Sequence, residues 1–440
     1  MNLTTSVSKT MLGILVGTVA IIAMPAQQAQ AVASWSRLYK MGCTGCHSTM
    51  PRLNYFGEKL MLRGNELDRM RVSDLPKQHV EVETGARCTS CHNNGSKGRD
   101  VGAEPVAENL FLHAVSNLLS FRTKITLAAV EANKLTEGGQ KKSLVTLGKG
   151  DWVQFWVAGP VAKNVTMRIE AELAEGKTVG LHNYAVAFSN VLGAPEGLLN
   201  LRVGGFTHGE WLSISDQKRA FSPHFDLFEI SSSGGTGEDA YKVAGAEPAA
   251  ELYGYRGLLT YNVGASNGKS TAAVNSDLNY WSSARLYLAN SGPFAGSSIS
   301  GSYVAGTDSK NSALETIQKD SFRRYLVSGG LRYGALDLAG TLVNGTDDNW
   351  DLKTGKVNDF GGWFVQALYT ATDKFTPGMI FQRSWSDDAK IEKHHMLTGA
   401  NYYMRQNQFI SVYYDHDLHA TDATHPVRLH AFLVQYRAMF

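Results

Sequence analysis

The sequence predicts two unlike parts: a small, mainly α-helical N-terminal domain, then an all-β transmembrane barrel of about sixteen antiparallel strands. Three observations predict this. The pattern Cys-x-x-Cys-His occurs twice near the N-terminus, at 43–47 and 88–92. From Leu118 onward, helical spacing gives way to period-two alternation of apolar and polar residues. The last strand runs to a terminal Phe440.

Residues 1–31 read as a secretory signal peptide. Lys9 supplies the charged region, Met11–Met24 the apolar core, and Ala29-Gln30-Ala31 the small-residue cleavage site. That core is too short to cross a bilayer as a helix. No later apolar run approaches the roughly 18 residues of a membrane-spanning helix. A helical membrane protein is thereby excluded, but a barrel is not, because its strands leave a far weaker hydropathy trace. The net charge of +2 gives no reason to expect nucleic acid as a partner.

Residues 32–117 form the predicted helical domain. Cys43-Thr44-Gly45-Cys46-His47 and Cys88-Thr89-Ser90-Cys91-His92 have the spacing of c-type haem attachment. Two thiols add to the vinyl groups of one haem, and the adjacent imidazole turns onto the iron. Paired Cys-x-x-Cys units can also hold zinc, but the stretch between Cys46 and Cys88 is too long for a usual zinc site. Two short disulfides would suit an exported protein. Neither alternative explains a His after the second Cys both times. The motifs use all four cysteines, so two haem c groups are expected. His47 and His92 are the expected proximal ligands. Distal candidates are His79 and His113, or a methionine, with Met50, Met61 and Met70 in range. Between the motifs, Leu53, Phe56, Leu60 and Leu62 stand roughly at helical spacing and predict a helix from Pro51 to about Gly64, its apolar stripe laid on haem. Asn93–Gly98 reads as a loop.

From 118 to 440 the pattern is that of strands. In Val165–Leu173, Val165, Met167, Ile169, Ala171 and Leu173 point one way, and Thr166, Arg168, Glu170 and Glu172 the other. Phe121, Ile125, Leu127 and Ala129 form a second apolar set, with Arg122 and Lys124 opposite. Tyr325, Val327, Leu331 and Tyr333 form a third, with Arg324 and Arg332 opposite. Strands are expected near 118–129, 151–159, 163–173, 183–191, 198–206, 247–254, 258–265, 278–289, 296–306, 322–333, 336–344, 359–371, 377–385, 394–404, 408–416 and 427–440.

A soluble sandwich also alternates, but the connections favour a barrel. Short turns (Gly334-Ala335, 405–407) alternate with long ones (307–321, 345–358, 417–426, and 207–246 above all). An even count puts both barrel ends on the periplasmic rim. Lipid tolerates no open sheet edge, so the last strand must pair with the first. Trp152, Trp156, Tyr280, Tyr287, Trp363, Tyr369 and Tyr402 are expected in interfacial girdles. Arg122, Lys124, Arg168, Glu170, Glu172, Arg202, Arg285, Arg324 and Arg332 are expected inside.

A leader, a Cys-x-x-Cys-His motif followed by Pro51-x-Leu53-Asn54-x-Phe56-Gly57, and a porin-like barrel ending in Phe together resemble the fused outer-membrane cytochrome–porins of iron-oxidising bacteria. In sequence, the likeness is specific around residues 43–64 and at the C-terminus. It implies a haem domain that plugs or caps the pore and passes electrons across the outer membrane. The second haem motif, Cys88–His92, departs from the single motif of that family and suggests a relay. The expected partners are outer-membrane lipid, a periplasmic electron carrier (cytochrome or copper protein), and an extracellular metal donor such as Fe(II), or an acceptor. An outer-loop cluster of Asp415, His416, Asp417, His419, Asp422 and His425, with His394 and His395 nearby, is a candidate metal-docking site.

Overall fold

The computed structural model describes residues 55–62 and 119–439, apart from short stretches at 135–141, 149, 175–178, 196, 215–218, 222–224, 233–239, 269–277, 290–291, 312–316, 373, 388–390, 406–407 and 422–427. The leader, both Cys-x-x-Cys-His motifs, His79 and His113 lie outside the described residues.

Among the described residues one helix, α1 (Tyr55–Leu62), precedes the strands. They are β1 (Leu119–Lys134), β2 (Lys142–Thr146), β3 (Trp152–Ala162), β4 (Val165–Ala174), β5 (Gly180–Phe188), β6 (Asn200–Phe206), β7 (Glu247–Arg256), β8 (Leu259–Ser266), β9 (Asn279–Tyr287), β10 (Ser298–Asn311), β11 (Ile317–Tyr333), β12 (Leu336–Asp347), β13 (Asn358–Tyr369), β14 (Phe375–Ser386), β15 (Ile391–Arg405), β16 (Gln408–Thr421) and β17 (Arg428–Met439). From β3 to β17 every neighbour in sequence is an antiparallel neighbour in space. β17 then pairs with β1 from Arg122↔Met439 to Lys134↔Arg428, which closes the cylinder. β2 and β3 share one flank of β1, at residues 129–133 and 119–124 respectively. They are one interrupted stave, so the barrel has the expected sixteen. The interruption is the part that alternation missed.

The wall separates two environments. In β9, Asn279, Trp281, Ser283, Arg285 and Tyr287 are buried and the residues between them are exposed. The outward set around the barrel is apolar: Ile125, Phe155, Val263, Leu286, Ile299, Val327, Leu342 and Val365 among others. This is the belt a bilayer requires. On it Phe121 meets Phe155 edge-on, with centroids 5.2 Å apart. Tight turns on the terminal rim follow from local chemistry. Asn164, Gly257 and Gly334 take positive φ there, the conformation a two-residue hairpin demands.

Three expectations need correction. Several strands overrun their anticipated ends on the far rim: β16 continues to Thr421 and β11 begins at Ile317. The far connection 387–390 is therefore short, while 189–199 and 288–297 on the terminal rim are long, and the difference between rims is weaker than the sequence suggested. A register shift between Thr126 and Ala128 turns Ala129 inward, fully buried, rather than along the outer set of Phe121 and Ile125. Trp152, Trp156 and Tyr287 are not girdle residues. Trp152 and Trp156 lie beneath the inward Arg122 guanidinium, 5.1 Å from each ring, and Tyr287 is 1% exposed inside the wall. Tyr280, Tyr369 and Tyr402 do face outward, near half exposed.

Candidate functional site

The lumen is the site, and it is filled from within. After β6 the chain turns into the cylinder rather than away from it. Residues 207–246 bury His208, Glu210, Trp211, Leu212, Ile214, Ala220, Phe221, Phe225, Leu227, Phe228, Tyr241 and Val243. Phe225 stacks on Phe364 of β13 with centroids 3.8 Å apart, and Phe228 meets the same ring edge-on. Phe221 stacks on Tyr413 of β16. The wall answers with inward apolar side chains: Val304, Leu326, Val343, Leu368, Ile380 and Leu397. Burying one Phe is worth about 1.5–3 kcal/mol, so three of them hold the loop firmly. Backbone links fix its depth: the amide of Ala220 donates to Gln366 Oε1 (2.5 Å) and that of Asp226 to Gln382 Oε1 (3.0 Å).

The opposite wall is charged. Glu251 of β7 accepts four hydrogen bonds: Arg202 (2.9 Å) and Trp211 (2.8 Å) on one oxygen, Asn262 (2.6 Å) and Trp281 (3.0 Å) on the other. Both of its oxygens are thereby occupied by donors from three wall strands and the inward loop. Glu210 of the inward loop pairs with Arg168 (2.7 Å) and Arg202 (2.5 Å). Burial alone would raise its pKa, but the two guanidinium groups outweigh burial and hold it down at about 2. His208 stacks on Trp281 at 4.6 Å and on Tyr241 at 5.0 Å, and hydrogen-bonds the Tyr241 hydroxyl.

At the terminal-rim end of this wall sits α1. Glu58, 1% exposed, accepts from Arg285 (2.7 Å) and Arg332 (3.3 Å), and the Tyr287 hydroxyl approaches to 3.4 Å. Arg332 also pairs with Asp337 at 3.3 Å. Leu62 and Met61 pack against Trp211 and Tyr253. The anticipated helix is thus present over Tyr55–Leu62, with Leu62 packed on Trp211 and Tyr253. Met61 lines a small cleft shared with Arg168, Arg202, Glu210 and Trp211.

All nine charges expected inside are on the inner face. Arg324 binds Asp347 (2.8 Å), Arg122 binds Glu170 (3.5 Å) and Glu172 accepts from Gln154. The described members of the candidate metal cluster are divided between the two faces of the wall, because β15 and β16 send alternate residues to opposite sides. His395 lies inside between Asp226 (3.2 Å) and Asp415. His394 binds Glu392, and His416 pairs with His430 at 2.5 Å. Among the described residues no group of three His, Cys, Asp or Glu is placed to hold a metal ion; Asp422, His425 and the side chain of His419 lie outside them. Glu58, Glu210, Glu251 and His208 were missed by sequence reasoning. Glu251 had a signal, since Glu247, Ala249, Glu251 and Tyr253 share one face of a strand. Glu58 had only its place among apolar neighbours.

No family model matches the chain, and no curated protein matches it. Among solved structures it is similar to the anion-selective porin of Comamonas acidovorans, with TM-score 0.53, 10% identity, and coverage of 73% of this chain and 99% of that one. It is also similar to outer-membrane OmpT of Vibrio cholerae (TM-score 0.48, 12% identity, 73% and 97% covered) and to the outer membrane channel DcaP of Acinetobacter baumannii (TM-score 0.49, 14% identity, 73% and 97% covered). Likeness at such identities is likeness of fold. The fold is the sixteen-strand, porin-like β-barrel of the bacterial outer membrane, and the outward apolar belt suits that place.

Proposed function

We propose that this chain is an outer-membrane electron conduit, a barrel with a c-type dihaem domain at its periplasmic mouth, joining an extracellular donor such as Fe(II) to a periplasmic cytochrome or copper protein. The observation that carries this reading is the pinning of α1 inside the lumen by Glu58 beneath an apolar inward loop. A diffusion pore gains nothing from an apolar filling, whereas an electron path benefits from excluded water and fixed cofactors.

The donor set fits haem. Cys43, Cys46 and His47 supply two thiols and an imidazole for one group, and Cys88, Cys91 and His92 for the other. His79, His113 and Met61 remain the candidate distal ligands. When bound, haem supplies a one-electron iron couple. The chain supplies the tether. Seven residues lie between His47 and Tyr55, so the eight Cα–Cα steps reach at most roughly 29 Å. Glu58 therefore keeps the first attachment site within that distance of the terminal rim.

Stopped-flow reduction by Fe(II) of protein in liposomes tests the reading. Reduction at the haem Soret band, with the vesicles staying ion-tight, is expected. Reduction only by a periplasmic-type donor, with re-oxidation by an extracellular acceptor, would reverse the direction. Protein without porphyrin by peroxidase stain and mass analysis removes the conduit and leaves a plugged porin-like barrel.

A further inference from the structure

The seam where the barrel closes carries a charge arrangement that the conduit reading does not use. Lys124 of β1 and Arg437 of β17 are direct cross-strand partners. Both point into the lumen and both are 9% exposed. Like charges directly opposite each other weaken a strand pair. Arg122 shares their face, and Arg219 of the inward loop is an electrostatic neighbour of Arg122, Lys124 and Arg437.

Counter-charges reach part of this group. Arg122 pairs with Glu170 at 3.5 Å, and Asp151 and Glu172 act on Lys124. None of them serves Arg437. Its strongest electrostatic neighbours are Tyr413, Arg219, Arg122 and Tyr403. Its guanidinium lies 5.8 Å from the Phe409 ring and gives one long hydrogen bond, 3.4 Å, to Gln435. Its Nε–H is buried with no acceptor. Arg168, Arg202, Arg285, Arg324 and Arg332, by contrast, each have a carboxylate within 3.3 Å. A guanidinium cannot escape burial by losing its proton, and an uncompensated buried charge is costly.

We infer that the β1–β17 seam is a binding site for an oxyanion, a carboxylate or phosphate held by Arg437 and Lys124 with Arg219 above. An oxyanion accepts the orphaned Nε–H and a second guanidinium N–H in fork geometry while it separates the two cross-strand cations. Two sources carry this chemistry: a free inorganic anion entering the lumen, or a propionate of covalently held haem. Only the second rests on the conduit reading.

The test uses the full-length protein in detergent, folded by the criterion of heat-modifiable gel mobility. Thermal unfolding is followed against inorganic phosphate at constant ionic strength, and haem midpoint potential is measured between pH 5 and 8. The variants are Arg437→Gln, Lys124→Gln and the exposed control Arg323→Gln. A saturable phosphate-dependent rise in Tm, with affinity weakened roughly ten- to hundredfold in Arg437→Gln and unchanged in the control, establishes the free-anion source. No response to phosphate, with the pH dependence of the haem potential altered in both seam variants but not in the control, establishes the propionate. Lys124→Gln reports on the same site should Arg437→Gln not fold. A phosphate response of equal size in all four proteins, or no change of either kind, overturns the inference. Absence of porphyrin cancels the conduit and the propionate source together, and leaves the phosphate result to decide the site.

Discussion

The two halves of the inner wall do opposite things. From β3 to β9 it is charged: Arg168, Arg202, Glu251, Arg285 and their partners form a ladder of ion pairs. From β10 to β16 it carries an inward apolar band, Val304, Leu326, Val343, Phe364, Ile380 and Leu397, with the ion pairs Arg324–Asp347 and Arg332–Asp337 to either side of it along the strands. The loop 207–246 faces both, setting Phe221, Phe225 and Phe228 against the second and Glu210 against the first. The lesson is a division of labour. Apolar burial supplies most of the loop's adhesion and is indifferent to orientation, whereas the ion pairs fix its direction and anchor α1.

Breaking the charged half at its most buried point has the largest expected effect. Glu58→Ala takes the carboxylate from Arg285 and leaves Arg332 with Asp337, at a cost of about 3–5 kcal/mol. Limited proteolysis of folded protein checks it: the segment before β1 is released from the variant and retained in the wild type. Phe364→Ala attacks the apolar half and removes the ring between Phe225 and Phe228, at about 3–5 kcal/mol of loop stability. Its readout is different. Single-channel recording shows openings in the variant, while α1 stays protected from protease. Should either variant give the other's phenotype, the two halves are not separable.

Acid sharpens the comparison. Glu210 is held at about 2 against an ordinary 4.5, so its stabilisation is full above the ordinary value and is lost as pH falls toward 2. The loss amounts to roughly 3 kcal/mol. Tryptophan fluorescence is expected to report loosening around Trp211 between pH 4.5 and 2, and not between 7 and 5. The smallest effect belongs to the rim. Arg323 and Asp348, 3.6 Å apart and about half exposed, contribute no more than about 0.5 kcal/mol, so Arg323→Gln leaves Tm within error in urea or heat unfolding.

This contrast also explains what could be read from sequence. The charged half was legible because one face of each strand is apolar and the other ionic, as in Val165–Leu173. In the apolar half both faces of a strand can be apolar: Leu342 points outward and Val343 inward, both in β12. Alternation still places the strand there, but it does not announce that the lumen is packed. The loop was visible as the long segment 207–246. Its inward path was not, because Phe221, Phe225 and Phe228 have no period that names their partners far along the chain in β13 and β16. Likewise Glu58 finds Arg285 and Arg332 only once the barrel has closed, so no local pattern marks it. The two Cys-x-x-Cys-His motifs are the reverse case: five consecutive residues are enough to propose their chemistry.

The central claim is a closed lumen, and planar-bilayer recording of the wild-type protein at neutral pH tests it most directly. The account predicts insertion without steady conductance, with openings appearing once Phe364 is replaced by Ala. A stable open channel in the wild type, of the same size as in the variant, would contradict it.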